Sequence, residues 1–171
     1  QQEEGGEQLY SMILGESISG IAKTLAPISH EVTSWESWLE RHPDTKSLAP
    51  DEDFKKRYRK GDPRTYFLND TIYFPVQPMP SDETHPKAPV IAVQTNGGYE
   101  VFSIQSLYDN AIDGTVEVKV EEEILVFHVD APPLYATVHD LQGNSLPSQR
   151  ALWFTWFANY PETTINTVTD R

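Results

Sequence analysis

The chain has 171 residues and a formal net charge of −13, because 26 acidic residues outnumber 13 basic ones. Nucleic-acid binding needs a basic face, and a chain this acidic is a poor candidate for it. The absence of cysteine excludes disulfides, thiolate nucleophiles, iron–sulfur clusters and thiolate zinc sites. No apolar run approaches the roughly 20 residues that span a bilayer, and we predict no transmembrane segment.

The N-terminal part of the chain predicts short extended structure. Residues 9–14 are apolar and predict a strand. Residues 15–29 contain two glycines between spaced apolar residues, which favours a strand and a turn over a helix.

A helix is predicted immediately afterwards. Thr33 and Glu36 have the spacing of a capping box, in which two side chains satisfy the first turn. The side chains that then recur at the spacing of one helical face are Trp35, Trp38, Leu39 and His42. Pro43 ends the predicted helix.

Two segments of unusual composition follow. Residues 51–64 hold six basic residues, which we interpret as a solvated helix ending at Gly61. A phosphate site is the less favoured interpretation because no glycine-rich cradle accompanies these cations. Residues 75–89 contain five prolines, which predict an extended connector between two lobes.

The chain after this connector has the pattern of a β-rich domain. Residues 90–94 and 99–102 flank an Asn-Gly-Gly turn, which predicts a hairpin. Residues 103–107 predict one helical turn. The further predicted strands are residues 115–121, 124–129 and 134–138; the first of them alternates apolar and charged residues, so one of its faces is buried.

A second helix is predicted from near Ser148 to Pro161, with a polar tail over residues 164–171. Like the first helix, it carries two tryptophans three residues apart, followed by a proline, an acidic residue and a threonine. Tryptophans at this spacing project from one side of a helix and bury a large apolar area. We therefore assign a structural rather than catalytic role to the motif residues Trp35, Trp38, His42, Pro43, Thr45, Trp153, Trp156, Pro161 and Thr163.

These elements predict a β-rich α+β fold made of two related lobes. Each lobe is expected to be a twisted antiparallel sheet or partial barrel covered by one Trp-x-x-Trp helix. The first lobe, residues 1–74, is incomplete because few strands precede its helix. Residues 75–89 form the connector, and residues 90–171 form the second lobe.

Few residues suggest chemistry. His128, Asp130 and His139 lie on adjacent predicted strands or at their ends, so they are candidates for a metal or acid–base site. The simpler interpretation is that they are polar residues at a strand edge. No nucleophile elbow, P-loop or dinucleotide fingerprint is present, and we expect no cofactor.

Three segments occur in a specific order, LYSMILGESISG, TSWESWLERHPDT and IAVQTNGGYEVFSIQSL. Together they resemble the DUF3179 family, a domain of unknown function, over roughly residues 9–163. The resemblance implies an extracytoplasmic, periplasmic location, since family members often carry export or lipoprotein signals. Members also carry a Cys-Pro-Leu-Cys-Gly segment after the hairpin, whereas residues 108–114 contain neither Cys nor His.

Three functions are compatible with these observations. The favoured hypothesis is a non-catalytic structural or accessory subunit of a larger assembly with protein partners, whether or not that assembly is attached to a membrane. The first alternative is a module that binds a small ligand, a glycan or a cation. The second alternative is a hydrolase-like enzyme that uses His128, Asp130 and His139.

Overall fold

The computed structural model describes residues 8–28, 30–49, 53, 64–74, 76–81, 83–131 and 134–168. The chain divides into two compact units, of which the first combines Gln1–Val32 with Val76–Arg171 and the second is Thr33–Pro75. This division differs from the predicted lobes, because the N-terminal residues group with the C-terminal part. The interpretation of residues 51–64 as a solvated helix falls almost entirely outside the described residues.

The β-rich α+β prediction is confirmed, since the described residues form four helices and three sheets. The strands are β1 (Tyr10–Ser11), β2 (Glu16–Ser17), β3 (Pro89–Thr95), β4 (Gly98–Ser103), β5 (Thr115–Val120), β6 (Glu123–Asp130), β7 (Tyr135–His139), β8 (Ser148–Leu152) and β9 (Ile165–Asn166). The helices are α1 (Trp35–Arg41), α2 (Arg64–Phe67), α3 (Ile104–Asp109) and α4 (Trp153–Asn159). No helix among these combines the length and the apolar character needed to cross a membrane.

The central sheet of the first unit has the strand order β8-β3-β4-β9. β3 pairs antiparallel with β4 and β8, and β9 runs parallel to β4. The predicted hairpin is confirmed: Thr95 pairs with Gly98, and Asn96 and Gly97 form the turn between them. The other sheets are the antiparallel meander β5-β6-β7 and the two-stranded pair β1-β2.

The central sheet buries apolar side chains on both faces. Alternate residues of β3 point to opposite sides, so Ile91 and Val93 join one cluster while Val90 and Ala92 join the other. The first cluster also takes residues from α3, β5, β6 and β7. The second consists of the sheet face beneath α4, and the tryptophans of α4 complete it. This arrangement explains why β3 is almost continuously buried.

Two sequence predictions in the C-terminal part of the chain need correction. The second helix begins at Trp153, not near Ser148, because residues 148–152 pair with β3 as β8. Residues 164–171 are not wholly a polar tail, since Ile165–Asn166 forms β9 and Val168 exchanges hydrogen bonds with the Ser106 hydroxyl.

The other corrections concern the N-terminal half. The strand predicted over residues 9–14 is reduced to Tyr10–Ser11, with a turn after it. The first helix is capped by Ser34 rather than Thr33: the Ser34 hydroxyl accepts a hydrogen bond from the Ser37 amide at 3.1 Å. Both residue types can cap a helix, and the sequence alone did not separate adjacent candidates.

Candidate functional site

The α4 helix is held against the central sheet by its tryptophans. Trp153 and Trp156 are both completely buried, with 0% of their surfaces exposed. They pack with Val90, Ala92 and Val101 of the sheet. The three-residue spacing places both indoles on one side of the helix, and the small and β-branched side chains below leave room for them. This helix face therefore belongs to the core.

The C-terminal end of α4 is held by contacts among residues of its own segment. The Trp156 indole N–H donates to the Thr163 hydroxyl at 3.1 Å, and that hydroxyl donates to the carbonyl oxygen of Tyr160 at 2.7 Å. The Tyr160 ring stacks on Trp156 with the ring centroids 4.5 Å apart. Pro161 follows the helix and turns the chain so that Thr163 comes back to the indole.

The α1 helix ends with the same contacts. The Trp38 indole N–H donates to the Thr45 hydroxyl at 2.8 Å, and the His42 ring lies 4.2 Å from the Trp38 ring between centroids. The backbone angles at His42 are φ −133° and ψ 66°, against −132° and 69° at Tyr160. Pro43 follows His42, just as Pro161 follows Tyr160. The residues after each helix thus form a local closure that depends on the tryptophan, the proline and the threonine.

The surroundings of the two helices differ. None of the residues of α1 is buried, and Trp35 leaves 55% of its surface exposed. The Arg41 guanidinium lies 5.9 Å from the centre of the Trp38 ring, within the range of a cation–π contact. The first tryptophan of the motif, which is in the core in α4, is therefore more than half exposed in α1, and the second is partly buried.

Further apolar side chains are exposed in the second unit. Tyr66 contacts both Phe67 and Tyr73, with ring centroids 5.4 and 5.0 Å apart. Among the described residues of this unit, the large apolar ones that are exposed are Trp35, Leu48, Phe67, Leu68, Tyr73 and Phe74, which we call the apolar residues of the second unit. Among the described residues of Thr33–Pro75, no apolar side chain is buried.

Tyr160, at the end of α4, packs against the central sheet. Its ring lies 5.1 Å from that of Tyr99 in β4. Burial raises the pKa of Tyr160 to about 12, with further contributions from Tyr99, which is also its hydrogen-bond partner, and from the charge of Glu16. The helix end is therefore an aromatic cluster in which the neutral phenol is favoured.

The structure brings two of the three candidate chemical residues together. The rings of His128 and His139 lie 5.1 Å apart on the neighbouring strands β6 and β7, and His128 Nδ1 lies 3.2 Å from the Thr115 hydroxyl. Asp130 accepts hydrogen bonds from the Tyr135 hydroxyl at 2.8 Å and from the Ala131 amide at 2.7 Å. Of the described side chains, no three His, Cys, Asp or Glu groups are placed to hold a metal ion.

Sequence reasoning missed the exposed aromatic segment around α2. The letters Tyr66-Phe67-Leu68 and Tyr73-Phe74 are a signal of apolar surface in themselves. However, their exposure depends on what packs against them, and periodicity within so short a helix does not reveal that.

Fold and site together define a β-rich α+β protein with two similarly closed tryptophan helices, one buried and one open. A family model described as "Protein of unknown function (DUF3179)" matches residues 4–140, and the chain belongs to this family. No curated protein and no solved structure matches the chain.

Proposed function

We propose that the protein is a non-catalytic structural or accessory component of a larger assembly, and that its second unit binds a protein partner. The observation that carries this proposal is the contrast between the units. All described apolar core residues lie between Val90 and Trp156, in the first unit. The described part of the second unit exposes six large apolar side chains and buries none.

The physical argument rests on size. A unit as short as Thr33–Pro75 can bury a smaller fraction of its apolar surface than a larger domain can, and a unit of this size is marginally stable without outside support. Leu48 is 98% exposed, and Leu68 and Phe74 are each more than 80% exposed. Soluble proteins rarely expose a contiguous apolar patch unless it contacts a partner, and here the rings of Phe67 and Tyr73 both lie against that of Tyr66.

An electrostatic argument restricts the partner. The net charge of −13 opposes association with nucleic acid or with an anionic lipid surface. The second unit, Thr33–Pro75, itself has eight acidic and eight basic residues, so a protein that supplies an apolar patch with a rim of both charge signs would fit the exposed side chains.

The proposal includes an extracytoplasmic, periplasmic location, for which the support is the behaviour of DUF3179 members. Cell fractionation of the native organism tests this part. Recovery of the protein with the cytoplasmic fraction would contradict the location without bearing on the assembly.

The assembly is tested by cross-linking in native extracts, identification of the cross-linked protein, and reconstitution of the complex from purified parts. The double variant Leu68→Glu, Phe74→Glu should weaken the reconstituted complex at least about tenfold, because two charges enter an apolar contact. The matched control is Ile112→Glu, Leu141→Glu, which alters two exposed apolar residues of the first unit, 80% and 57% exposed. Equal weakening by both double variants, or a native protein that is monomeric in every extract, would contradict the proposal.

A further inference from the structure

The outer edge of β8 carries backbone groups that no other strand uses. β8 is the terminal strand of the central sheet. The Gln94 amide donates to the Pro147 carbonyl oxygen at 3.1 Å, so these two residues form a hydrogen-bonded pair across β3 and β8. Hydrogen-bonding direction alternates along an antiparallel strand, and therefore the backbone N–H and C=O groups of Ser148 and Arg150 point away from β3.

These outward groups are a template for another strand. Within the described chain, the backbone groups of Ser148 and Arg150 make no hydrogen bond to a segment outside the sheet. An exposed row of this kind pairs readily with an extended segment of another chain.

A cavity of about 450 Å³ lies beside this edge. That volume falls within the range of protein sites for compact ligands. One side of the cavity is Pro147–Arg150, and the other carries the apolar side chains of Leu14, Leu25 and Ile28. The Leu25 amide donates to the Gly15 carbonyl oxygen at 2.7 Å, which ties the two apolar wall segments together.

A hydrogen bond connects the cavity wall to β8, and the described lining residues include no acidic ones. The Gln149 side-chain amide donates to the Ile13 carbonyl oxygen at 3.3 Å, which fixes the wall to the strand. No acidic residue occurs among the described residues that line the cavity, although the chain as a whole is strongly acidic. Leu25 is 46% exposed and Ile28 is 83% exposed, so apolar surface remains uncovered at the rim.

We propose that β8 accepts an extended peptide segment of a partner protein as an additional strand, with one aliphatic side chain of that peptide in the cavity. The backbone N–H and C=O groups of a peptide would pair with the outward groups of β8. One of its alternate side chains would cover the apolar residues of the cavity wall. A compact apolar molecule would contact the apolar wall of the cavity but would leave the backbone groups of β8 unpaired. This site is distinct from the apolar residues of the second unit, and it goes beyond the function proposed above.

A second copy of the chain is the less suitable occupant. Antiparallel pairing of two β8 edges would bring the two Arg150 side chains near one another, and like charges on facing strands are destabilising. The net charge of −13 on each copy adds a general repulsion.

The probe is a fluorescein-labelled peptide, acetyl-Thr-Val-Leu-Val-Thr-amide, whose binding is followed by fluorescence anisotropy. We expect saturable binding, and its loss when aspartate replaces the central leucine. Two further versions carry N-methyl groups on alternate amides. One of them should bind at least about tenfold more weakly, because it cannot donate to the edge.

Two protein variants complete the experiment. Ser148→Pro removes an N–H that faces outward, so it should preserve the pairing of β8 with β3 and weaken peptide binding about tenfold or more. Leu25→Asp should weaken binding through the wall, with Leu141→Asp as the matched control at another exposed leucine. Circular dichroism and urea unfolding establish that each variant is folded.

The proposal is overturned if the parent peptide does not bind, or if both N-methylated versions bind as well as the parent. It is also overturned if the protein is a dimer that Ser148→Pro converts to a monomer, since the occupant would then be a second copy. The variant Leu68→Glu, Phe74→Glu should bind the peptide normally, which separates this site from the partner surface of the second unit.

Discussion

The helices α1 and α4 share a sequence motif and a local geometry but differ in what surrounds them. In both, an indole N–H donates to a threonine seven residues later, and the ring of the residue four positions after the tryptophan lies against that indole, tilted for His42 and stacked for Tyr160. Yet Trp153 is fully buried, whereas Trp35, at the same place in the motif, is 55% exposed. The local closure therefore forms with or without a sheet beneath the helix.

This difference separates two roles of the tryptophans. The second tryptophan of each pair, Trp38 or Trp156, has contacts within its own segment, to which Trp156 adds contacts with the sheet. The first, Trp35 or Trp153, contributes mainly apolar area, and that area is useful only if a neighbouring surface covers it. In α4 the sheet face formed by Val90, Ala92 and Val101 meets this requirement. The open face of α1 is consistent with the proposed partner.

The comparison is tested most strongly by Trp153→Ala. Because Trp153 lies in the core, its truncation should lower the free energy of unfolding of the first unit by about 3–5 kcal/mol. The matched change Trp35→Ala should cost less than about 1 kcal/mol, since much of that side chain is exposed. Guanidinium unfolding followed by far-ultraviolet circular dichroism measures both. Similar losses from the two variants would mean that Trp35 is also covered in the isolated protein.

Local signals in the sequence predicted the elements that depend on neighbours along the chain. The Asn96-Gly97 turn gave the hairpin, and the alternation in residues 115–121 gave a strand with one buried face, now β5. Proline after each tryptophan pair marked where the helices stop. The order of the motifs also gave the family, which the match over residues 4–140 confirms.

Elements that depend on distant partners were not predicted. Residues 148–152 have no strong strand pattern and become β8 only because β3 lies beside them. Ile165–Asn166 likewise becomes β9 through its pairing with β4. For the candidate sites, adjacent strands correctly suggested that His128 and His139 lie close together. The exposure of residues around α2 and the cavity beside β8 could not be predicted, because each depends on which surfaces remain uncovered after folding.

A smaller effect is expected from removing the threonine hydroxyl that closes each helix. Thr163→Val leaves the indole N–H of the buried Trp156 without its acceptor, which should cost about 1–3 kcal/mol of unfolding free energy. Thr45→Val should cost no more than about 0.5 kcal/mol, because water can reach the partly buried Trp38. Urea unfolding of both variants measures the difference. A loss for Thr45→Val as large as that for Thr163→Val would show that the closure of α1 is as desolvated as that of α4.

The smallest effect concerns Tyr160, which occupies the place that His42 has in α1. Burial, as the largest cause, together with Tyr99 and the charge of Glu16, raises the pKa of Tyr160 from its ordinary value of 10.0 to about 12. The folded state therefore holds the phenol proton more tightly than the unfolded state does. The stability that this provides is fully present below pH 10 and is lost as the pH rises from 10 towards 12.

Ultraviolet absorbance titration of phenolate formation measures this pKa directly. Tyr160→Phe should remove the titration step near pH 12, and Tyr99→Phe should move it to lower pH because a hydrogen-bond partner and a neighbouring charge are lost. Tyr108→Phe, at an exposed site that is 43% accessible, is the matched control and should leave the Tyr160 step in place. If Tyr160 titrates at its ordinary pKa in the folded protein, the aromatic cluster at the end of α4 is open to water, and the contrast with α1 is weaker than the buried tryptophans indicate.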